Sequence, residues 1–353
     1  MKLKVFIALD TAEIDLPNCI SFLYPFFRDF TEEQKIKKYG NWFLNIQIVH
    51  SLPECDVIIL PYRIDYYYLN KKKKFLADIN SSSVLHNKLL ICATKGDLEI
   101  TPLFTNYHLY RMGGYRSKNK GNSFTYPVFF DDPAQVYFNG NITYQTKKTQ
   151  LPVVGFCGQA QQSTKKWFID ISKGLSTRLL KLLGRWPYDI ESLISTTRIR
   201  SKLLDSLEKS PLVKTNFIRH TKYRAGAVTN EEKKEGSRVF FTNINDSQYI
   251  ICYRGLGNFS VRLYETLASG RIPVIVLSDN NLPFPGEINW HMFPVVKEGN
   301  KHNIAKVIAE FHATLSEDEF LTLQKKARAI WESYFTYKSF MAKWVNKYIN
   351  LLN

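Results

Sequence analysis

Short apolar runs recur along the first 132 residues of the chain and predict the strands of a β-sheet. Near-continuous apolar runs are typical of strands that are buried on both faces. Longer and more polar connections separate the runs, which favours parallel strands linked by crossover helices. The segment 107–123 interrupts this pattern with glycines and basic residues and is predicted to be a loop. The predicted strands are residues 5–9, 46–50, 57–61, 89–93 and 127–130.

A second series of elements follows a polar stretch at residues 139–150 that has no apolar period. A strand over 151–158 opens this series, so we predict a boundary between two α/β domains, 1–148 and 149–337. Apolar residues at three- and four-residue steps indicate amphipathic helices near the C-terminus. The other predicted elements of the series are strands 239–241, 249–253, 272–277 and 293–296 and helices 197–207, 304–311, 317–334 and 338–352.

The composition is that of a folded protein. Hydrophobic residues make up 44% of the 353, with 17 Gly and 14 Pro, which excludes collagen-like and disordered classes. The apolar runs are far shorter than the roughly 18 to 20 residues that cross a bilayer. The N-terminal run stops at Asp10 with no cleavage site after it, which favours a first strand over a signal peptide. Five cysteines form no C-x-x-C pair, which predicts buried reduced thiols and a cytoplasmic protein.

The chain carries 48 Lys and Arg against 32 Asp and Glu, a formal charge of +16. This charge would attract phosphate-rich partners or an anionic membrane surface, and a solvated basic face is an equally good interpretation. Positive segments at 71–74 and 111–120 are candidates for peripheral contact with the inner face of a membrane. A nucleic-acid-binding protein is the less favoured class, because the aromatic residues lie mostly in apolar runs and no RNP, zinc-finger or helix-turn-helix pattern occurs.

Residues 249–290 are the most informative stretch, because their order is strand, loop, helix and strand. The loop 254–258 combines Arg254 with two glycines, and Ser260 is predicted to be the N-cap of the helix that follows. A helix N-terminus beside glycines is a suitable site for a pyrophosphate. The spacing matches neither G-x-G-x-x-G nor Walker A, so the loop alone does not identify a ligand.

Arg262 and Glu265 lie three residues apart on one face of that helix, away from its apolar stripe, and Gly270 is predicted to end it. At the carboxyl end of a parallel sheet, this face would point into the crevice where open α/β folds bind ligands. A surface ion pair between Arg262 and Glu265 is the alternative interpretation. No D-x-D pair occurs in the sequence, so the usual carboxylate ligands for Mg²⁺ or Mn²⁺ on a diphosphate are missing from it.

Several motifs in this stretch resemble, in order, the signature of exostosin-like glycosyltransferases. They are an arginine-glycine loop, a serine-x-arginine-x-x-glutamate helix, a glycine-x-x-proline-valine turn, a leucine-proline-phenylalanine element and a tryptophan. Fainter similarity extends over most of the chain. The matching segments are 253–255, 258–265, 268–275, 282–284 and 288–290, with the fainter ones at 53–61, 154–158 and 199–203.

The resemblance implies a GT-B architecture, in which two Rossmann-like domains face a cleft. Domain 1–148 would lie on the acceptor side, domain 149–337 would hold a nucleotide sugar, and the last helix, 338–353, would cross back to the first domain. The implied activity is that of a hexosyl or pentosyl transferase (EC 2.4) of polysaccharide biosynthesis. Such an enzyme moves a sugar from a UDP-sugar or another nucleoside diphosphate sugar to a glycan or lipid-linked acceptor, with inversion and without a required metal or cofactor.

Site roles follow from the same resemblance. Glu265 would bind the ribose hydroxyls, and Arg262 with Arg254 would neutralise the diphosphate leaving group, Arg262 acting as a catalytic residue. Arg200 is a further candidate for donor binding, with a surface salt bridge as its alternative. The other candidates for donor binding are Gly255, Gly257, Asn258 and Ser260.

An inverting transfer also needs a general base, which the first domain is expected to supply. Asp97, just after a predicted strand, is the predicted base, with an ordinary turn aspartate as the alternative; Asp131 and Asp132 follow another predicted strand in a similar position. Many relatives have an Asp-His pair where this chain has Asn87 and Lys88. That departure leaves open a further hypothesis, a nucleotide-sugar-binding protein of the same fold without catalysis.

Overall fold

The computed structural model describes residues 1–10, 14–119, 121–147 and 151–352. These residues form two compact units, each built on its own parallel sheet. The fold class is therefore α/β, as the alternation of apolar runs and longer connections predicts. The first unit comprises Met1–Pro127, Lys181–Asp189 and Ser333–Asn353, and the second comprises Val128–Leu180 and Ile190–Glu332.

The first unit contains a six-stranded parallel sheet in the order β2-β1-β3-β4-β5-β6. Its inner strands are buried on both faces, and Val5, Ile58 and Leu90 are completely shielded from solvent. Four of the five apolar runs that predict strands in this part of the chain are confirmed. The strands are β1 (Leu3–Ile7), β2 (Ile46–Val49), β3 (Val57–Ile59), β4 (Leu89–Ala93), β5 (Tyr107–Arg111) and β6 (Ser123–Thr125).

The second unit contains a five-stranded parallel sheet in the order β11-β10-β9-β7-β8. Its central strand β9 lies between β10 and β7, and all four of its residues are buried. The strands predicted at 151–158, 249–253, 272–277 and 293–296 are confirmed. The strands are β7 (Val153–Gln159), β8 (Lys214–His220), β9 (Tyr249–Cys252), β10 (Ile272–Leu277) and β11 (Val295–Lys297).

Helices connect the strands, and the helices predicted at 197–207, 304–311, 317–334 and 338–352 are confirmed. A π-turn over Trp331–Phe335 follows the eleventh helix. The helices are α1 (Tyr24–Phe27), α2 (Glu32–Tyr39), α3 (Ile64–Leu69), α4 (Lys73–Leu85), α5 (Pro133–Tyr137), α6 (Thr164–Leu182), α7 (Thr196–Glu208), α8 (Asn230–Asn245), α9 (Val261–Ala268), α10 (Ile304–Thr314), α11 (Glu317–Ile330) and α12 (Tyr337–Asn350).

The prediction of a loop over residues 107–123 is wrong, because this segment contains β5 and the first residue of β6. Four of the five side chains of β5 are polar, but they have partners within the first unit. His108 Nδ1 lies 2.9 Å from the hydroxyl of Tyr348. Arg111 is buried and lies 3.4 Å from the carboxylate of Glu99. Arg111 is therefore not part of an exposed basic segment that contacts a membrane.

The prediction of a strand over residues 127–130 is also wrong. Tyr126 donates its N–H to the carbonyl of Arg111, but Pro127 has no N–H with which to continue the ladder. Asp132, predicted to follow a strand at the acceptor side, instead belongs to the second unit. It caps α5 through the N–H of Ala134 at 3.0 Å and accepts a hydrogen bond from Arg328 at 2.8 Å.

In the second unit, the prediction of a strand over residues 239–241 is wrong because these residues lie inside α8. A capping box between Thr229 and Glu232 starts this helix. The edge strand β8 was not predicted, because its polar residues form no apolar run. Arg219 in β8 is instead held at the surface by Asp205 and Glu208, at 2.6 and 2.7 Å.

The division between the units lies after Pro127, whereas the sequence predicts it after residue 148. Residues 128–147 belong to the second unit because its helices hold them. The ring of Tyr137 stacks on Phe241 with centroids 4.9 Å apart. The N–H of Gln145 donates to Gln324 at 2.9 Å.

The C-terminal helix α12 packs within the first unit. Its Tyr348 bonds with β5 through the contact with His108, and the ring of Trp344 lies 5.1 Å from that of Phe22. All five cysteines are buried and none forms a disulfide, as predicted. None of the helices in the described part of the chain is long and apolar enough to cross a bilayer.

Candidate functional site

The candidate site lies at the carboxyl ends of β7 and β9 in the second unit, where the loop 253–260 leads into α9. Ser260 occupies the N-cap of α9 and Gly270 ends the helix with a φ of +62°, both as predicted. The Ser260 hydroxyl makes no capping hydrogen bond, however, and its buried oxygen has no hydrogen-bond partner among the described residues. The hydroxyl therefore does not cap the helix in this conformation.

The loop before α9 is held by its own hydrogen bonds. The N–H of Gly255 donates to the carbonyl of Phe259 at 3.1 Å, and the N–H of Phe259 donates to the carbonyl of Gly257 at 2.9 Å. Asn258 is completely buried, and its side-chain oxygen accepts a hydrogen bond from Ser278 at 2.9 Å. Gly255 therefore does not offer its N–H to a ligand in this conformation, and Asn258 fixes the loop to the end of β10.

Arg254 follows β9 and is almost fully buried, with 3% of its surface exposed. Its guanidinium lies 2.6 Å from the carboxylate of Glu191 and 2.8 Å from the carbonyl of Leu256. Its own carbonyl accepts a hydrogen bond from Arg200 at 2.8 Å. Arg254 therefore links the loop to α7 as well as to Glu191.

Arg262, in the first turn of α9, reaches across the sheet end to β7. Its Nη2 donates to the carbonyl of Cys157 at 2.7 Å, and its Cζ lies 4.3 Å from the ring centroid of Phe156. A Cβ added at Gly158 would lie 2.8 Å from that Nη2, so the glycine allows this close approach. The Nε of Arg262 is buried without an acceptor among the described residues. Burial lowers the pKa of this guanidinium, and the charge of Glu265 opposes that effect.

Arg200, on α7, completes the group, which we name the arginine cluster: Arg200, Arg254 and Arg262. Arg200 lies over the same Phe156 ring, at 5.8 Å, and donates to the carbonyls of Gln159 and Arg254. Its Nε is likewise buried with no acceptor in the described part of the chain. Burial and then the charge on Arg262 lower its pKa to about 10. The surface salt bridge that was the alternative for Arg200 is therefore wrong, because the residue is buried.

The electrostatics of the cluster favour a bound anion. Three guanidiniums lie near two carboxylates, those of Glu191 and Glu265. The positive charges on Arg200 and Arg262 disfavour each other, and a phosphate group accepts bidentate hydrogen bonds from guanidiniums. An anion at this position would relieve the repulsion between the two guanidiniums and accept hydrogen bonds from them.

A small cavity adjoins the cluster between β9, α9 and the loop after β10. Arg254 and Ser260 line it on one side, and Asn280 and Asn281 on another. Leucine, proline and tyrosine side chains supply the apolar remainder. The volume of the cavity is about 10 Å³, which is room for about one water molecule.

The predicted base, Asp97, lies in an exposed bend that follows β4 in the first unit. Sequence reasoning missed Glu99, two residues later, which is 1% exposed. Burial raises the pKa of Glu99, and it accepts a hydrogen bond from the N–H of Gly113 at 2.8 Å.

Glu191 was missed as well, because a lone carboxylate in an irregular segment gives no sequence signal for the arginine that it meets. Among the described residues, no group of three or more His, Cys, Asp or Glu is placed to hold a metal ion.

Comparisons with known proteins give similarity at the level of structure. No protein-family model matches the sequence, and no curated protein matches it. Similar solved structures include a mutant of S. aureus TarM in complex with fondaparinux, alpha-GlcNAc-glycerol and UDP, which is 10% identical over 73% of this chain and 55% of that one, with a TM-score of 0.32. The pneumococcal O-GlcNAc transferase GtfA in complex with UDP and GlcNAc is 13% identical over 84% of this chain and 57% of that one, with a TM-score of 0.30.

WaaG, a glycosyltransferase involved in lipopolysaccharide biosynthesis, is 11% identical over 90% of this chain and 84% of that one, with a TM-score of 0.30. The chain spans little more than half the length of the TarM and GtfA structures that it matches. The structures to which this chain is similar thus include glycosyltransferases.

Proposed function

We propose that this protein is a glycosyltransferase whose second unit binds a nucleoside diphosphate sugar, with a UDP-sugar as the leading donor. The observation that carries the proposal is the arginine cluster. The buried Nε atoms of Arg200 and Arg262 have no acceptor in the described structure. The positive charges of these two residues repel each other at the carboxyl end of a parallel sheet. The motifs of 253–290 that resemble exostosin-like glycosyltransferases support the same assignment.

In this proposal the cluster receives the diphosphate. Arg262 and Arg200 lie over the Phe156 ring, and their guanidiniums are the proposed hydrogen-bond donors to the phosphate oxygens. Negative charge grows on the diphosphate as the bond to the sugar breaks, and preorganised cations stabilise that charge. Loss of one such donor often lowers the rate by about 10²- to 10³-fold. Charge neutralisation thus comes from arginines, which supports a reaction without an obligatory metal.

The other proposed contacts with the nucleotide sugar are assigned from the positions of the residues around α9. Glu265, one turn after Arg262, is proposed to bind the ribose, and Ser260 and Asn281 are proposed to contact the base. The carbonyl of Gly257 and the side-chain oxygen of Asn258 hold the shape of the loop by accepting hydrogen bonds from Phe259 and Ser278.

The acceptor side is proposed to belong to the first unit, in a GT-B arrangement. Asp97 is the proposed base because it is exposed at the carboxyl end of β4, whereas Glu99 is buried beyond reach of a substrate. Inversion follows if this base activates an acceptor hydroxyl for direct displacement. A glycan or lipid-linked hydroxyl is the proposed acceptor, and the buried, unbridged thiols support the proposed cytoplasmic location.

Thermal unfolding with UDP, GDP, CMP and ADP tests the donor site. A nucleotide at 100 times its dissociation constant stabilises the folded state by about 2.7 kcal/mol, so UDP is expected to raise the melting temperature clearly. Arg262→Met is expected to remove the shift while keeping the packing on Phe156. Arg238→Met, at an exposed arginine of α8, is the matched control and is expected to keep it. The absence of a shift with every nucleotide would contradict the proposal.

A further inference from the structure

The inner face of α6 is fixed against the segment that leads into α7. Trp167 lies under Arg198, whose Cζ is 5.5 Å from the ring centroid. Asp170, three residues later on the same side, accepts a hydrogen bond from Ser195 at 2.6 Å. These contacts set the rotation of α6 about its axis, so the residues on the opposite side must face outwards.

The outward face of α6 is apolar. Phe168, Leu175 and Leu179 recur at steps of seven and four residues and are 63%, 55% and 59% exposed. Ile169 lies beside Phe168 and is 42% exposed. We name these four residues the α6 stripe. Scattered exposed leucines are ordinary, but several large apolar side chains exposed along one side of one helix favour an interaction surface.

The charged residues around the stripe all have one sign. Lys165 and Lys173 are exposed beside it. Asp170 is the single carboxylate in the sequence of α6, and it lies on the inner face, 3.1 Å from Lys166. The outward face of α6 therefore combines apolar and cationic side chains with no acidic one.

We propose that the α6 stripe docks on the surface of an anionic lipid bilayer. An amphipathic helix that lies in a membrane interface has apolar residues on one side and Lys or Arg at the flanks, and anionic headgroups complement the cations while the acyl region takes the apolar side chains. A second copy of the chain would bring another cationic stripe against this one, which disfavours self-association. The overall charge of +16 adds attraction to the same surface. The proposal does not depend on the reaction that the protein catalyses.

Co-sedimentation with phosphatidylcholine vesicles, with and without phosphatidylglycerol, tests the proposal. The wild-type protein is expected to bind the vesicles that contain phosphatidylglycerol, and less strongly as salt is added. The double variant Leu175→Ser and Leu179→Ser is expected to bind about tenfold more weakly or worse, because the apolar contacts are lost. Replacing Lys165 and Lys173 with Gln is expected to weaken binding to the anionic vesicles alone.

Matched control variants show whether the α6 stripe itself is required, or whether losing any exposed leucines or lysines weakens vesicle binding equally. Leu85→Ser with Leu103→Ser removes two leucines elsewhere that are more exposed than those of the stripe, and Lys233→Gln with Lys234→Gln removes two exposed charges of α8. Both double variants are expected to bind as the wild type does. Unchanged thermal unfolding verifies that each variant is folded. Binding of the Leu175 and Leu179 double variant at the wild-type level would overturn the proposal. So would a wild-type dimer that this variant converts to a monomer, because a second copy would then cover the stripe.

Discussion

Arginine side chains lie at both ends of the second unit's sheet, and they are held in different ways. At the amino end, Arg271 precedes β10 and is fully buried. All three of its guanidinium nitrogens donate to main-chain carbonyls, including that of Asn245 at 2.9 Å. At the carboxyl end, Arg200 and Arg262 each keep a buried Nε that has no acceptor among the described residues.

The pKa of the buried arginine is similar at the two ends, but its causes differ. Burial lowers the pKa of Arg271 to about 10, but the nearby charge of Asp246 opposes that effect. Burial also lowers the pKa of Arg200 to about 10, and the charge on Arg262 acts in the same direction as burial. A lowered arginine pKa is therefore common to both ends and does not mark a site. The two ends differ in the sign of the neighbouring charge, which is a cation at Arg200 and a carboxylate at Arg271.

The largest expected effect comes from removing Arg271. Arg271→Met would leave several buried carbonyls without a donor, so we expect the free energy of unfolding to fall by about 3 to 5 kcal/mol. Urea denaturation measures this change. Arg271→Lys, which keeps the charge and one nitrogen, is expected to lose less and to provide a folded variant. Nucleotide affinity of that folded variant is expected to equal that of the wild type. A weaker affinity at unchanged stability would show that the two ends are not distinct.

The second-largest effect concerns Arg200, where we expect UDP affinity to fall more than stability, the reverse of the expectation for Arg271. Arg200→Met removes a buried charge that Arg262 repels but leaves the carbonyls of Gln159 and Arg254 without this donor, so we expect the free energy of unfolding to fall by about 1 to 3 kcal/mol, less than for Arg271→Met. Hydrogen bonds to a charged group contribute about 1.5 to 3 kcal/mol, so UDP affinity measured by calorimetry is expected to fall by about 10- to 100-fold. A large loss of stability with unchanged affinity would make Arg200 a structural residue like Arg271.

The sequence predicted more of the fold than of the site. Strands such as β4 and β10 are continuous apolar runs, because a parallel strand that is buried on both faces has apolar residues at almost every position. β5 and β8 escaped prediction because their polar side chains are satisfied by partners distant in the chain, such as Tyr348 for His108. Partners that are distant in the sequence leave no local pattern of residues from which such a strand could be predicted.

Within the site, the positions of Ser260 and Gly270 followed from helix-capping rules, because these depend on neighbouring residues. The pairing of Arg254 with Glu191 and the approach of Arg262 to Gly158 depend on how α9, β7 and an irregular segment pack. Neither was predictable from spacing. Gly255 shows the reverse error, since a glycine beside a helix N-terminus suggested a free donor and the folded loop uses that N–H itself.

The smallest expected effect compares two serine N-caps. Ser316 accepts a hydrogen bond from the N–H of Glu319 at 3.2 Å in a capping box at α11, whereas Ser260 makes no such bond at α9 and lines the cavity. Ser316→Ala is therefore expected to lower the free energy of unfolding by about 1 kcal/mol, the usual contribution of a cap, and to leave UDP affinity unchanged. Ser260→Ala is expected to change stability by less than about 0.5 kcal/mol and to weaken UDP binding by roughly three- to tenfold, the worth of one neutral hydrogen bond. Urea denaturation and calorimetry on both variants measure the two quantities. Equal losses of stability would mean that the Ser260 hydroxyl caps α9 in solution, and its buried oxygen would then no longer distinguish the ligand-facing end of the sheet.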